Sequence, residues 1–411
     1  MELAIFHPMF GAVGGAEVLA AAEARAMRDA GVDARIVTGP VDAARWRETL
    51  EGIPVLQFKQ RAIGDAVAWT SVSRLRLRAR RARLLLREAH VIIAHNHPCN
   101  AMLGTMRLDG LRLWQVNEPA RALHLAATSP VLAARAATLG AAAPDFLTRS
   151  FAARLASWER RAARGGDLTA RRTFDVRMTA HLDGLYAISA FAREMARRVY
   201  GRCSETLVYP PVAVGETAGP ARRGIRRNAL HVLVQARLEA VKNVETVLTG
   251  FAQFAARHAG THLHVVGEGG DAERLRGVAD TVAPGRVTFH GFLDAVTLGM
   301  VRDACDVFAL LPVDEPFGMV FTEAMAQGLL CIGPDHGGPS EILEGGAVGW
   351  TVDAFSPEAV AAALEEAVTM RDDAADKRRQ AAFASVRGRF SAKQMVRALA
   401  KVVHDAGGPE W

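Results

Sequence analysis

The feature that most limits what this chain can fold into is a pattern that occurs twice. Short, continuous apolar runs are separated by helical segments. In the first half "LAIF" (3–6) is followed by Gly14-Gly15, which opens a helix running to Gly31 as its C′ residue. "ARIVT" (34–38), "PVLQF" (54–58), "HVIIA" (90–94), "LRLWQV" (111–116) and "LYAIS" (185–189) read as further strands, and 120–183 is mostly helical by composition. A stretch rich in Pro, Gly and Arg, "LVYPPVAVGETAGPARRGIRRN" (207–228), interrupts this, and then the pattern restarts. "ALHVLVQ" (229–235), "LHVVG" (263–267), "RVTFHG" (286–291), "DVFALL" (306–311) and "LLCIG" (329–333) are again continuous rather than alternating. Strands of that kind are buried on both faces, which implies parallel sheets with helices on each side. At 411 residues the chain is too long for one ordinary core. The expectation is an α/β protein of two doubly wound domains, 1–212 and 213–390, joined near 210–225. In such folds a ligand lies beyond the carboxyl ends of the strands, here in a cleft between the two domains.

Charge and cysteine usage narrow the class. Lys+Arg at 50 against Asp+Glu at 44 leaves +6, a modest excess that suits anionic ligands or an acidic membrane surface and does not by itself indicate nucleic acid. Cys99, Cys203, Cys305 and Cys331 are scattered without metal-ligand spacing, so reduced thiols in a cytoplasmic protein are expected. The start "MELAIFHPMFGAVGGAE" lacks a basic n-region and its apolar run is broken, which argues against a signal peptide. No charge-free segment approaches membrane-spanning length.

The chemistry concentrates in loops that follow strands. "DEPFGMVFTEAMAQG" (314–328) sets Glu315 just past the strand "DVFALL", then starts a helix near Phe317–Gly318 with Glu323 inside it. Free N–H groups and the positive dipole end at that helix start suit an anion or a hydroxyl-rich ligand. "QARLEAVKN" (235–243) carries Arg237 and Lys242 past the first strand of the second half. A guanidinium fork with a point charge answers a diphosphate, and an exposed basic loop is the competing reading. Three glycine turns, "FGAVGGAE" (10–17), "VGEGG" (266–270) and "DHGGPSEIL" (335–343), permit close backbone approach, although none is a complete phosphate-loop motif. "AHNHP" (94–98) and "VNEPARALH" (116–124) bring His95, His97, Asn117, Glu118 and Arg121 to strand ends of the first half. Two His at i, i+2 with no third ligand do not make a metal site. The helix "SRLRLRARRARLLLREAH" (73–90) carries seven arginines. Leu75, Ala79, Ala82 and Leu86 form its apolar stripe, with Arg76, Arg80, Arg83 and Arg87 beside it. Two readings stay open for it, a contact with anionic lipid and the solvated outer face of a domain helix.

These residues resemble a known family. "EPFGMVFTEAMAQG", the upstream Arg237/Lys242 pair, "GGAE" near the start and "GGPSEIL" are similar to the retaining glycosyltransferases of family 4, which have the GT-B fold of two Rossmann-like domains facing each other across a cleft. The likeness is densest over 230–345. It implies transfer of a hexosyl group from a UDP- or GDP-sugar to an acceptor hydroxyl, with no cofactor, no metal ion and no protein nucleophile. By position, Glu323 would take the ribose. Glu315 and the amides of Phe317, Gly318, Met319 and Val320 would hold sugar and diphosphate. Arg237 and Lys242 would neutralise the departing phosphate. Gly14 and Gly15 would approach that phosphate, Glu268 would add to the donor site, and the base would lie near 288–292. His95, His97, Glu118 and Arg121 are the acceptor-side candidates. The chain departs from the family at Asn117, where a His is common; Asn donates a hydrogen bond but cannot be a cation. The segment 391–411 resembles a C-terminal helix that packs back on the first domain. The partners implied are the nucleotide sugar and a hydroxyl acceptor on a glycan, lipid-linked sugar or metabolite; peripheral membrane contact through 73–90 rests on the arginine stripe and stays one of its two open readings. Two competing functions are a nucleotide-sugar epimerase and a non-catalytic anion binder. The basic run lacks the interleaved aromatics that single-stranded nucleic acid would call for.

Overall fold

A computed structural model describes residues 1–11, 14–58, 72–163, 167–212 and 229–410. The interdomain stretch expected around 210–225 lies mostly outside these, as do residues 59–71. Twelve strands are found among the described residues. β1 is Glu2–His7, β2 Asp33–Thr38, β3 Val55–Gln57, β4 Val91–His95, β5 Leu111–Val116 and β6 Gly184–Ala187. β7 is His231–Gln235, β8 His262–Val266, β9 Val287–Gly291, β10 Val307–Ala309, β11 Leu330–Pro334 and β12 Trp350–Val352. The helices are α1 Gly15–Asp29, α2 Ala43–Trp46, α3 Val72–Leu86, α4 Cys99–Gly104, α5 Pro130–Leu139, α6 Phe146–Ala163, α7 Asp167–Thr179 and α8 Ala190–Tyr200. They continue with α9 Val244–Ala255, α10 Ala272–Val282, α11 Ala295–Ala304, α12 Met319–Ala326, α13 Gly337–Ile342, α14 Pro357–Thr369, α15 Asp372–Arg389 and α16 Ala392–Asp405.

The strands form two six-stranded sheets, ordered β3-β2-β1-β4-β5-β6 and β12-β11-β10-β7-β8-β9. Each is parallel, and each repeats the 3-2-1-4-5-6 order of a doubly wound nucleotide-binding unit. Burial explains the parallel arrangement. Leu3, Ala4, Ile5 and Phe6 of β1 are all 0 % exposed, because both faces of the strand are covered. Leu3 and Ile5 join one core cluster with α1 and α16, while Ala4 and Phe6 join another with α3 and α4.

Helix sequence decides which face turns inward. In α16 Met395, Leu399, Val402 and Val403 recur at helical spacing and enter the core of the first sheet. Each such side chain is worth roughly 1.5–3 kcal/mol over exposure. α3 does the same with Leu75, Ala79, Ala82 and Leu86. α8 starts at Ser189, whose hydroxyl accepts from Ala192 N, and stops at left-handed Gly201.

The chain divides into two compact units. One contains 1–128, 154–211 and 392–411; the other contains 129–153 and 212–391. The C-terminal helix thus belongs to the first unit. The segment 129–153 corrects the simple boundary at 212: it belongs to the second unit, for a reason given below. β12 was not anticipated, because three residues after Gly349 are too short a run to read as a strand.

Candidate active site

In each sheet the strand order reverses once, between β1 and β4 and between β7 and β10. Connections leave such a pair in opposite directions and open a crevice at its carboxyl end, the usual ligand position in open α/β sheets. In both units polar side chains collect there.

In the second unit β7 ends at Gln235, and the next loop carries an exposed Arg237. A 3-10 turn, Ala240–Lys242, then ends at Asn243 in the left-handed region (φ 52°). This aims Lys242 Nζ at Glu315 Oε2, 2.6 Å away, from the loop that follows β10. The ammonium and the carboxylate come from opposite sides of the switch point. Both are about one-fifth exposed, so a ligand can reach either.

Asp314 fixes the Glu315 loop. It is fully buried with φ at 55°, and its two oxygens accept from Val131 N and Leu132 N, each at 3.0 Å. Those amides belong to the first turn of α5, where N–H groups lack helical partners and the dipole favours negative charge. This cap ties 129–153 to the second unit. Nothing in the local pattern could have revealed it, since the partners stand 182 and 183 positions apart.

Past Glu315, Phe317 is buried against Phe390 at 5.6 Å between ring centroids. Gly318 (φ 98°) then turns the chain into α12, whose first-turn residues Met319 and Val320 are half-buried. Glu323 lies one turn further on. Its Oε2 accepts from Arg302 and, at 3.4 Å, from Gln235 Nε2. Arg302 also donates twice to Gln235 Oε1, at 3.0 and 2.6 Å. Arg302 and Gln235 therefore hold the carboxylate in one orientation. Sequence reasoning missed both.

Two glycine turns serve the packing of these loops on each other. A Cβ on Gly267 (φ 129°) would lie 1.8 Å from the Ala236 carbonyl oxygen. One on Gly338 would lie 2.3 Å from Phe317 Cα. The loops bearing Arg237 and Glu315 are thus each buttressed by backbone that only glycine allows to come so near. Glu268 is exposed, with its Oε1 3.4 Å from Phe292 N.

The first unit treats its switch point differently. His7 ends β1 and His95 ends β4, with their rings 6.0 Å apart and both fully buried. His95 Nε2 stands 3.2 Å from Glu23 Oε2, and His7 Nε2 stands 3.6 Å from Glu17 Oε1. Burial pushes the His7 imidazole below its ordinary pKa, against the pull of Glu17. Glu17 also folds over Gly14, whose Cβ would meet its Oε2 at 2.5 Å. A polar chain continues inward. Tyr186 Oη lies 3.4 Å from Glu23 and donates to Gln115 Oε1 at 3.1 Å. Gln115 Nε2 donates to Asn117 Oδ1 at 3.3 Å, and Asn117 Nδ2 to Asn96 Oδ1 at 2.9 Å. The Asn117 amide is thereby locked.

Beside it Asp175 gathers four donors. His97 Nδ1 is at 3.1 Å, His124 Nε2 at 3.0 Å, Asn100 Nδ2 at 3.0 Å and Tyr200 Oη at 2.8 Å. Burial would raise the carboxyl, but attraction to His97 and the hydrogen bonds from His124, His97 and Tyr200 outweigh it. They hold Asp175 well below the usual carboxylate range. The hub joins the loops after β4 and β5 to α7 and α8.

The expected acceptor-side residues differ in how far they reach the surface. His95 is 0 % exposed and faces Glu23, so it lies beneath the surface. His97 is largely buried against Asp175 and Asn100. Glu118 and Arg121 pair with each other at 2.6 Å. Among the described residues no group of His, Cys, Asp and Glu could hold a metal ion. No described helix is long and apolar enough to cross a membrane.

Residues 219–384 match the family described as Glycosyl transferases group 1. Over 203 residues the chain is 29% identical to the GDP-mannose-dependent alpha-(1-6)-phosphatidylinositol monomannoside mannosyltransferase of Mycobacterium tuberculosis, covering 46% of this chain and 53% of that one. It is 31% identical over 187 residues to the phosphatidyl-myo-inositol mannosyltransferase of the same organism, covering 44% and 48%. The chain spans about half the length of these curated relatives. Among solved structures, Anabaena HepE in complex with UDP and glucose superposes with a TM-score of 0.72 at 17% identity, over 98% of this chain and 99% of that one. Sucrose-phosphate synthase from Thermosynechococcus elongatus gives 0.72 at 16% identity, over 98% of each. The chain has the GT-B fold, and the stretch that matches the glycosyl transferases group 1 model is 219–384.

Proposed function

We propose that this protein transfers a hexosyl group, with retention, from a UDP- or GDP-sugar to an acceptor hydroxyl. The observation that carries the reading is the convergence of Lys242 and Glu315, 2.6 Å apart, beside the start of α12. When the bond from the anomeric carbon to the phosphate oxygen breaks, its electron pair stays with the diphosphate and positive charge develops on the sugar. Lys242 and Arg237 neutralise the diphosphate, as pre-placed cations do most effectively where water is excluded. The first-turn amides of α12 add donors to the same charge. Glu315 accepts from sugar hydroxyls. Glu323, oriented by Arg302 and Gln235, accepts from the ribose. These side chains supply the required charges without assigning a step to a metal ion. The glycosyl transferases group 1 match and the mannosyltransferase relatives support the reaction class, and HepE with UDP and glucose supports a nucleotide donor.

Thermal denaturation with UDP, GDP and their hexose conjugates tests the donor. A ligand at 100 times its Kd stabilises the native state by about 2.7 kcal/mol. One nucleotide series should raise Tm and the other should not; no shift with any member refutes the reading. Donor incubated without acceptor should leave the sugar's configuration unchanged, and an isomerised sugar would favour an epimerase instead.

A further inference from the structure

The arginine-rich helix is not used by the reading above. In the structure its two sides are sharply different. Leu75, Ala79, Ala82 and Leu86 are buried, while Leu77 and Leu84 are 50% and 67% exposed. At about 100° per residue these two leucines lie two turns apart on the line opposite the core. Arg76, Arg80, Arg83 and Arg87, all exposed, run along the flank beside them. On that flank is a cavity of about 370 Å³ lined by Arg83, Arg87, Arg107, Leu108, Asp109 and Arg112. Arg83 Nε donates to the Arg107 carbonyl at 3.1 Å, and Asp183 grips Arg112 at 3.1 and 3.3 Å. Arg87 reaches Glu88 at 3.3 Å. Four guanidiniums thus face one space that a single carboxylate, Asp109, also lines.

We propose that this face docks on an anionic phospholipid surface, the cavity receiving a headgroup phosphate while Leu77 and Leu84 enter the interfacial layer. Charge complementarity selects phosphate, because guanidinium forks bind its oxygens in pairs. The exposed leucines select a lipid source over a soluble ester or nucleic acid, since apolar side chains opposite the core are stabilised only by an apolar partner. The inference stands apart from the donor site and fails separately from it.

Co-sedimentation of the full chain with vesicles at about 50 mM salt tests it. Phosphatidylglycerol in phosphatidylcholine should retain the protein, and phosphatidylcholine alone should not. At roughly fivefold per arginine, Arg83→Ser with Arg87→Ser should weaken retention about 30-fold. Leu77→Ser with Leu84→Ser should weaken it roughly tenfold. Unchanged Tm in both variants keeps folding out of the comparison. Absence of retention, or retention indifferent to the arginines, overturns the proposal. Loss with the arginines but not with the leucines marks a soluble-anion site and overturns the lipid assignment. Duplex DNA bound with the same arginine dependence while vesicles are not overturns it as well.

Discussion

The two switch points share a strand order and differ in how they treat charge. In the second unit the ionised side chains are partly exposed: Lys242 pairs with Glu315, and Glu323 is held by Arg302 and Gln235. In the first unit they are sealed. His7, Glu23 and His95 are 0 % exposed, and Asp175 is satisfied from four directions. A partly exposed pair can exchange one partner for a ligand at smaller cost, because water and the ligand share the charge between them. A buried network cannot, since removing one member leaves the others desolvated and uncompensated. One point is built for exchange and the other for rigidity, although nothing in the backbone topology distinguishes them.

Substitutions can break this contrast. The largest expected effect is Asp175→Asn, which should cost about 3–5 kcal/mol in urea unfolding, because His97 and His124 lose their shared carboxylate. A loss under 1 kcal/mol would mean the hub is decorative. The same carboxylate sets a pH signature. Its folded pKa is depressed, so its stabilisation is complete above the unfolded value near ~3.9 and fades as pH falls below it. The native protein should therefore lose more stability below about pH 4 than the Asn variant does.

Next in size, Lys242→Ala or Arg237→Ala should lower turnover roughly 10²–10³-fold while leaving Tm nearly unchanged. Near-normal initial rates in both would end the assignment of the second switch point. Gly267→Ala should destabilise by about 1–3 kcal/mol and lower turnover with it, because the Ala236 carbonyl must move and the Arg237 loop moves too. The mildest change is Tyr186→Phe, worth about 1 kcal/mol of stability. If Tyr186 locks Asn117 through Gln115, this variant should lower kcat more than donor KM.

Much of this was legible beforehand. β5 occupies the predicted 111–116, and the other expected strands are found within a few residues, since a continuous apolar run needs only local sequence to declare itself. The loop positions of Arg237, Lys242 and Glu315, and that of Glu323 in the helix beyond, followed from those strands. What escaped was pairing at a distance. Gln235 and Arg302 are 67 positions apart, Asp314 caps a helix 182 positions away, and Asp175 lies 51 positions from His124. Asp175 and Glu23 lie inside helices α7 and α1. No periodicity marks them out, because helical spacing shows which face a residue occupies and not what another loop will bring to it.

The amino-acid order by itself determined two parallel sheets, their helices and the loops that carry charge, since burial on both faces and helical spacing are properties of short windows. Only the tertiary structure decided that 129–153 joins the second unit, that Glu323 is aimed by an arginine and a glutamine, and that His95 is buried rather than displayed. Those outcomes depend on which polar groups meet after the chain has closed. Desolvation makes such meetings obligatory without announcing them in the local sequence.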